Sequence, residues 1–465
     1  MKLSTYFLAT LCFLIFFAPQ LRAQEAVRVD EIVLEGNKIT KDFVVLRELP
    51  FSIGDSIPIS DLADRLRHAK ENLDNLAIFN FVNVFPFIDP TRPNNALVYI
   101  TVEERWYIWP VVDIRLEERN LSTWLKSWDF KKITIEGGVR IDNFLGLKHK
   151  LIITGHGGYQ WGAFLGYRDI ALSKDGKHYI GFDTEWNASH NIDAFTHNDE
   201  PARFNIRGVT LENKWETRFN YYYRRSARES HNVNFYYELT HLADTVLQLN
   251  PHYWGTLDTK RNAFRLQYDY KRDQRDYHPY PLKGYYMKAG INTYLASDFS
   301  VRYAQLTWNG QYYLPLAKRW FVSTVLSAGL STSNVQAYIL DRAIGYGNVT
   351  LRGYEYKVAD GQSYVVSNNT LKFNILPTKV FLINWLSWLP KFNKLHMAIY
   401  ANVHFDMGYA HNKWESTNTL SNQFLYAGGV GIDFVTYYDL AIGVDYSINK
   451  QGKGGFYFTI KVPFI

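Results

Sequence analysis

Two short segments carry the residues best suited to a specific interaction. One is Leu351-Arg352-Gly353-Tyr354-Glu355, which follows the run Asp341-Arg342-Ala343-Ile344-Gly345-Tyr346-Gly347-Asn348. The other is Phe405-Asp406-Met407-Gly408. An arginine fork and a carboxylate form a bidentate, charge-assisted pair, and clustered glycines permit unusual backbone. That is chemistry for holding, not for making bonds. Signatures of bond chemistry are missing from the sequence. There is no Gly-x-Ser-x-Gly, no His-Glu-x-x-His and no phosphate-binding glycine-lysine loop; Gly452-Lys453-Gly454 lacks the remaining glycine and hydroxyl spacing. His149, His156, His178 and His190 are dispersed on strands or near strand ends, as polar residues rather than ligands. The expectation is no catalysis, no cofactor and no metal.

The elements that must position the pair are strands. In Met397–Tyr409 the odd positions are Met, Ile, Ala, Val, Phe, Met and Tyr, and the even ones include Tyr400, Asn402, His404, Asp406 and Gly408. Val233, Phe235, Tyr237 and Leu239 oppose Asn234, Tyr236, Glu238 and Thr240 in the same way, and the pattern recurs at 151–161, 264–271, 440–448 and 456–464. Soluble strands average about 5–6 residues. A lipid-facing band needs about 9–11 tilted residues, and these segments are that long. A sheet in lipid cannot leave an open edge, so it must close. The fold class is an all-β transmembrane barrel of about sixteen antiparallel strands, an even number as in most single-chain bacterial barrels, over residues 131–465, with 107–130 as a linker. Alternation fails between Thr332 and Gly361, and a loop that long is usually functional or disordered. Since alternation puts Asp406 on the inner face, Arg352 is expected to fold its loop inward and lock onto it.

Composition agrees. The 465 residues carry a net charge of +6, 47% hydrophobic residues and 17% aromatics, with a mean hydropathy of −0.25. Such hydrophobic content excludes disorder. Beyond residue 23 no run approaches the ~20 apolar residues of a spanning helix. One cysteine excludes a disulfide scaffold, and the small, dispersed charge excess argues against nucleic acid. Abundant aromatics with modest hydropathy suit a barrel with a wet interior and aromatic girdles. Lys2, the apolar stretch Tyr6–Ala18 and Leu21-Arg22-Ala23 read as a secretory signal cut after Ala23. Cys12 beside Leu11 is not a lipobox, and cleavage removes this one cysteine.

Residues 24–106 form a small α/β module of order β-α-α-β-β. A strand through Val27–Leu34 precedes the turn Gly36-Asn37, with Thr40 as a helix cap. Ser60 caps a longer helix whose Leu62, Leu66, Ala69, Leu73 and Leu76 make one apolar stripe. Two strands follow, over 79–84 and 96–102. A small sheet of this kind pairs with an extended chain through a free edge.

This module resembles the POTRA domain in Ile32, Leu34, Glu35, Gly36, Asn37 and Thr40, in Arg47-Glu48-Leu49, in Gly54-Asp55, and in the segments 76–84 and 98–103. The whole chain resembles the BamA/TamA superfamily. There, an Arg-Gly-Tyr/Phe loop tip docks on an Asp-x-Gly strand inside a sixteen-stranded barrel. Arg352, Gly353 and Tyr354 match the tip, with Leu351 where Val is more usual; Asp406 and Gly408 match the strand. Phe464-Ile465 resembles the C-terminal signal of outer-membrane proteins, with Ile at the position usually aromatic. The resemblance implies insertion, assembly or translocation of unfolded outer-membrane or secreted polypeptides by a monomeric barrel in the bilayer of a Gram-negative outer membrane, with the module in the periplasm. Gly137 and Gly138 in the first strand and Gly454 and Gly455 in the last would loosen the seam, since glycine weakens strands, although glycine also serves bends and girdle packing. Two alternatives stand beside insertion: an exporter of one dedicated substrate, and a passive pore. The single module points to an accessory or specialised member.

Overall fold

A computed structural model describes residues 26–461 except 75, 117–123, 125–127, 129, 131–132, 174–175, 207, 227, 277, 279, 348, 383, 385–393, 415–416 and 437–439. The signal segment 1–23 and Phe464-Ile465 lie outside the described residues. Two units are present.

The N-terminal module runs β1 (Ala26–Glu35), a short helix (Asp42–Leu46), β2 (Ser56–Pro58), a long helix (Ile59–Asp74), β3 (Phe79–Ile88) and β4 (Asn95–Glu104). Its sheet order is β2-β1-β4-β3, with β1 and β4 parallel. Leu62, Leu66, Ala69 and Leu73 of the long helix are buried, above Val27, Val29, Val98 and Ile100 of the sheet, also buried. Each such Leu, Val or Ile side chain contributes about 1.5–3 kcal/mol. Neither expected cap forms. The Thr40 hydroxyl donates to Glu104 Oε1 at 2.6 Å, and the short helix starts after Lys41 with no side-chain cap. Ser60 lies inside the long helix and donates to Asp61 Oδ1 at 2.8 Å. In both cases the helix starts at another position: the short one after Lys41 and the long one at Ile59. The sequence also hid β2, a three-residue strand that covers one edge. The other edge, ten-residue β3, has no further partner strand among the described residues and exposes Phe81, Phe85 and Phe87.

The second unit is a sixteen-stranded antiparallel sheet. Its first half is β5 (Ile108–Leu116), β6 (Ile133–Phe144), β7 (His149–Gly158), β8 (Gln160–Ala171), β9 (His178–Ser189), then β12 (Glu212–Ser226), β13 (Glu229–Leu242) and β14 (Lys260–Asp273). The second half is β15 (Gly284–Ala296), β16 (Arg302–Ala317), β17 (Trp320–Ser333), then β20 (Ser363–Leu382), β21 (Lys394–His411), β22 (Phe424–Thr436), β23 (Ala441–Asn449) and β24 (Gly454–Lys461). Two pairs stand apart from it: the hairpin β10 (Asn191–His197) and β11 (Glu200–Asn205), and the short pair β18 (Arg342–Ile344) and β19 (Ala359–Asp360).

Side-chain exposure follows the alternation. Val403 and Phe405 face outward, exposed as lipid-facing residues are, while Asn402, His404 and Asp406 are buried in the lumen. Phe235 and Leu239 face out, and Asn234 and Glu238 face in. The segment expected to be a linker is corrected in part: Ile108–Leu116 pairs with β6 and is the first barrel strand. Pro110 interrupts its sequence pattern, and an end strand tolerates a proline that a central one does not. Gly137 and Gly138 therefore lie on the second strand, opposite Val112 and Val111. Among the described residues no ladder joins β5 to β24.

Candidate functional site: an arginine lock in the barrel lumen

The loop 334–362 leaves β17, makes the short β18–β19 pair, and enters β20. Gly345 and Gly353 take φ values of +88° and +85°, a region that glycine alone enters freely. Between the two limbs hangs the tip. Leu351 and Tyr354 are buried against Val366, Ala410, Leu425 and Ala427 of β20, β21 and β22. This apolar seat sets the height at which Arg352 meets the wall.

Arg352 Nε donates to Asp406 Oδ2 at 2.7 Å and Nη2 donates to Oδ1 at 2.6 Å. The pair is the parallel fork expected of guanidinium on carboxylate. Nη2 also reaches the Thr370 hydroxyl at 3.0 Å and the Asn369 carbonyl at 3.3 Å. The Asp406 side chain has no solvent exposure. It accepts further bonds from Asn368 Nδ2 at 2.9 Å and the Asn369 N–H at 3.1 Å. A buried ion pair offsets its desolvation only when its remaining lone pairs are filled, and here β20 fills them.

Gly353 allows the tip to touch the wall. A Cβ there would sit 2.8 Å from the Ala427 Cβ, and its carbonyl accepts a bond from Asn449 Nδ2 at 3.0 Å. Gly408 has a different use. A Cβ there would come within 3.3 Å of both Ile344 Cδ1 and Val366 Cγ2, so this glycine makes room for the β18 limb. Glu355 Oε2 accepts the Gly353 N–H at 2.8 Å. Burial, with the Asp445 carboxylate adding to it, pushes the Glu355 carboxyl up to about 8. Burial likewise raises Asp341, at the loop's entrance, to about 6.

A second limb crosses above. The hairpin β10–β11 turns at Asn198 and Asp199, with φ of +50° and +62°. Its tip binds the loop: Val358 N–H donates to the Asp199 carbonyl at 2.8 Å, and Lys357 Nζ to the Asn198 carbonyl at 2.6 Å. Sequence reasoning missed this hairpin, and also Asn368, Thr370 and Asn449. Even-numbered alternation along β20 is the signal that could have placed the first two of these partners inward. The Asn198-Asp199 dipeptide is itself a turn signal.

The proposed seam residues are dispersed. Gly454 and Gly455 open β24, opposite Ile448 and Ser447. Space there is taken by tyrosine: a Cβ on Gly455 would lie 2.9 Å from the Tyr457 hydroxyl. Gly138 lies where a Cβ would strike Thr154 Cα at 2.7 Å, whereas Gly137 faces open space.

Residues 143–461 match the Omp85 superfamily domain, and residues 27–105 match the POTRA family described as surface antigen variable number repeat. No curated protein sequence matches the chain significantly. Among solved structures, BamA from Haemophilus ducreyi lacking POTRA domains 1-3 is 14% identical with a TM-score of 0.62, covering 94% of this chain and 84% of that one. CdiB from Escherichia coli is 12% identical with a TM-score of 0.57, covering 94% and 76%. CdiB from Acinetobacter baumannii is 15% identical with a TM-score of 0.52, covering 94% and 74%. These likenesses concern the fold, and the family match spans more than half of the sequence. With its barrel strands, its inward loop and its N-terminal POTRA module, the chain belongs to the Omp85 superfamily.

Proposed function

We propose that this protein assists the insertion and assembly, or the translocation, of other polypeptides in a Gram-negative outer membrane, with its POTRA module in the periplasm. The observation that carries the reading is the Arg352–Asp406 lock, which holds a strap inside the lumen of an Omp85 barrel. A passive pore has no use for such a strap. The partners are unfolded polypeptides and the bilayer itself, not nucleic acid; the barrel works as a monomer and makes no covalent bond.

The physical basis is the cost of unpaired backbone. An extended client brings N–H and C=O groups that are expensive in lipid. The end strands β5 and β24, unjoined by a ladder among the described residues, offer a template for them. The exposed β3 edge of the module offers an earlier one in water, by the same strand addition. Insertion at the barrel edge leaves the strap in place. An exporter that passes its substrate through the lumen must first clear strap and hairpin together, and their many bonds favour the edge route.

The test is depletion of the protein followed by a proteomic census of the outer membrane. Loss of several barrel proteins supports insertion. Loss of one secreted product transfers the reading to export, and an unchanged census rejects both.

A further inference from the structure

The ten residues 274–283 join β14 to β15 at the barrel end where β5 begins. Two-residue connections, 227–228 and 318–319, suffice for β12–β13 and β16–β17 at that end. The longer segment carries Tyr280 inward. Gln274 N–H donates to the Tyr285 carbonyl at 2.8 Å and Asp276 N–H to the Lys283 carbonyl at 3.0 Å, so its base is a closed ladder. Pro281 restricts the residue before it to extended backbone, which holds Tyr280 out as a stiff projection.

Tyr280 reaches past β16 and β17 to a recess on the lumen wall of β20, β21, β22 and β23. It is buried there, 6% exposed. Its hydroxyl donates to Asp433 Oδ2 at 2.7 Å. Its ring lies 4.9 Å from that of Tyr400, at 37°. Lys372 Nζ stands 3.9 Å above the ring centroid. Ala398 and Ala441 leave the space that the ring fills. The recess thus has a flat apolar wall, a cation over the ring face and an acceptor at its far end. Those are the elements that recognise a phenol, and all come from barrel strands, not from the turn. Along β21 the recess lies six residues from Asp406, or about 20 Å at ~3.3 Å per residue. It is separate from the arginine lock.

We propose that this recess is a binding site for a tyrosine side chain of an incoming polypeptide, and that Tyr280 is the placeholder that fills it when no polypeptide is present. The inference rests on the reading that this barrel handles polypeptides. It goes further by naming a side chain the site selects and a residue, Tyr280, that must leave first. Because the placeholder is tethered, it competes at high effective concentration. An external tyrosine therefore binds only to the fraction of molecules whose turn is open, and removing the placeholder raises apparent affinity by the inverse of that fraction.

The test uses the full chain in nanodiscs and a fluorescent ten-residue peptide with one tyrosine, beside versions with phenylalanine or alanine at that position. Tyr280→Ala is expected to bind the tyrosine peptide about tenfold more tightly than the unaltered protein, as it would if the recess stands open in about a tenth of molecules. The phenylalanine peptide should bind several-fold less well, and the alanine peptide at background. Adding Asp433→Ala, which removes the acceptor, should abolish the preference for tyrosine over phenylalanine. Tyr280→Phe keeps the ring packing, loses the bond to Asp433, and should give an intermediate gain, so a folding defect in the alanine variant leaves the test intact. Equal binding by all variants, or a gain indifferent to the peptide's aromatic residue, would make Tyr280 a fixed packing residue and overturn the proposal. No client is inserted in this assay. A negative result therefore leaves the insertion reading standing, and failed insertion with intact peptide binding counts against that reading alone.

Discussion

The Asp199 carboxylate accepts two bonds from one residue, Thr419: the backbone N–H at 2.6 Å and the hydroxyl at 2.8 Å. The two residues come from opposite sides of the sheet. Asp199 belongs to the connection between β9 and β12, and Thr419 to that between β21 and β22, eight places away in an order of sixteen strands. In a closed barrel that is a diameter. The hairpin therefore spans the mouth, and Asp199 is the pin that fastens it.

Asp199→Ala is expected to free the hairpin tip without unfolding the barrel. Two hydrogen bonds to a charged group are lost, each worth about 1.5–3 kcal/mol. Limited proteolysis should cut near residues 198–200 much faster in the variant, with heat-modifiable migration unchanged. Equal cleavage of both proteins would show that the pin bears little of the closure.

Arg352→Ala removes one partner of a buried pair and leaves the carboxylate uncompensated. Such losses cost about 3–5 kcal/mol, here paid mainly in loop docking. Trypsin should then reach Lys357 in the folded protein. Arg352→Lys keeps the charge and loses the fork, so its cleavage rate should fall between the two. If lysine protects as well as arginine, the bidentate geometry is incidental.

The strands were legible because alternation is a local property, and Asp406 faced inward on that ground alone. What stayed hidden depends on distant partners. Asn449 matters to the loop because its side chain meets the Gly353 carbonyl, ninety-six residues away in sequence. Thr40 and Ser60 satisfied the rules for caps, yet the helices start after Lys41 and at Ile59. The hairpin stayed hidden for the same reason: β10–β11 lies outside the barrel sheet, packed on Leu211, Leu242 and Val246 rather than on lipid.

Gly353→Ala tests the close approach of tip and wall. The added methyl meets Ala427 Cβ at 2.8 Å, on backbone at φ +85°. Strain in such a region is of order 1–3 kcal/mol. The variant should dock its loop less well than Gly408→Ala, whose nearest contacts are 3.3 Å and side-chain atoms. Hydrogen exchange over 345–358 compares them, and the reverse ranking would contradict the assigned packing.

Loop docking should also depend on pH. The Glu355 carboxyl is raised from an ordinary 4.5 to about 8 when buried. A raised acid binds its proton more tightly in the docked state, so its contribution is complete below the ordinary value and is lost as pH rises through about 8. Protease protection at pH 6 should exceed that at pH 9, and Glu355→Gln, which stays neutral, should flatten the difference. A profile that keeps its slope in the glutamine variant would assign the titration to another group.

The most direct measurement of the central claim is reconstitution of the purified protein into liposomes, followed by insertion of an unfolded barrel client scored by its heat-modifiable, protease-resistant form. The protein should speed insertion well beyond empty liposomes, deletion of residues 27–106 should lower the rate, and Arg352→Ala should lower it further while the barrel itself stays folded. Insertion no faster than in empty liposomes, or undiminished in both variants, would mean that neither the locked strap nor the module serves client polypeptides.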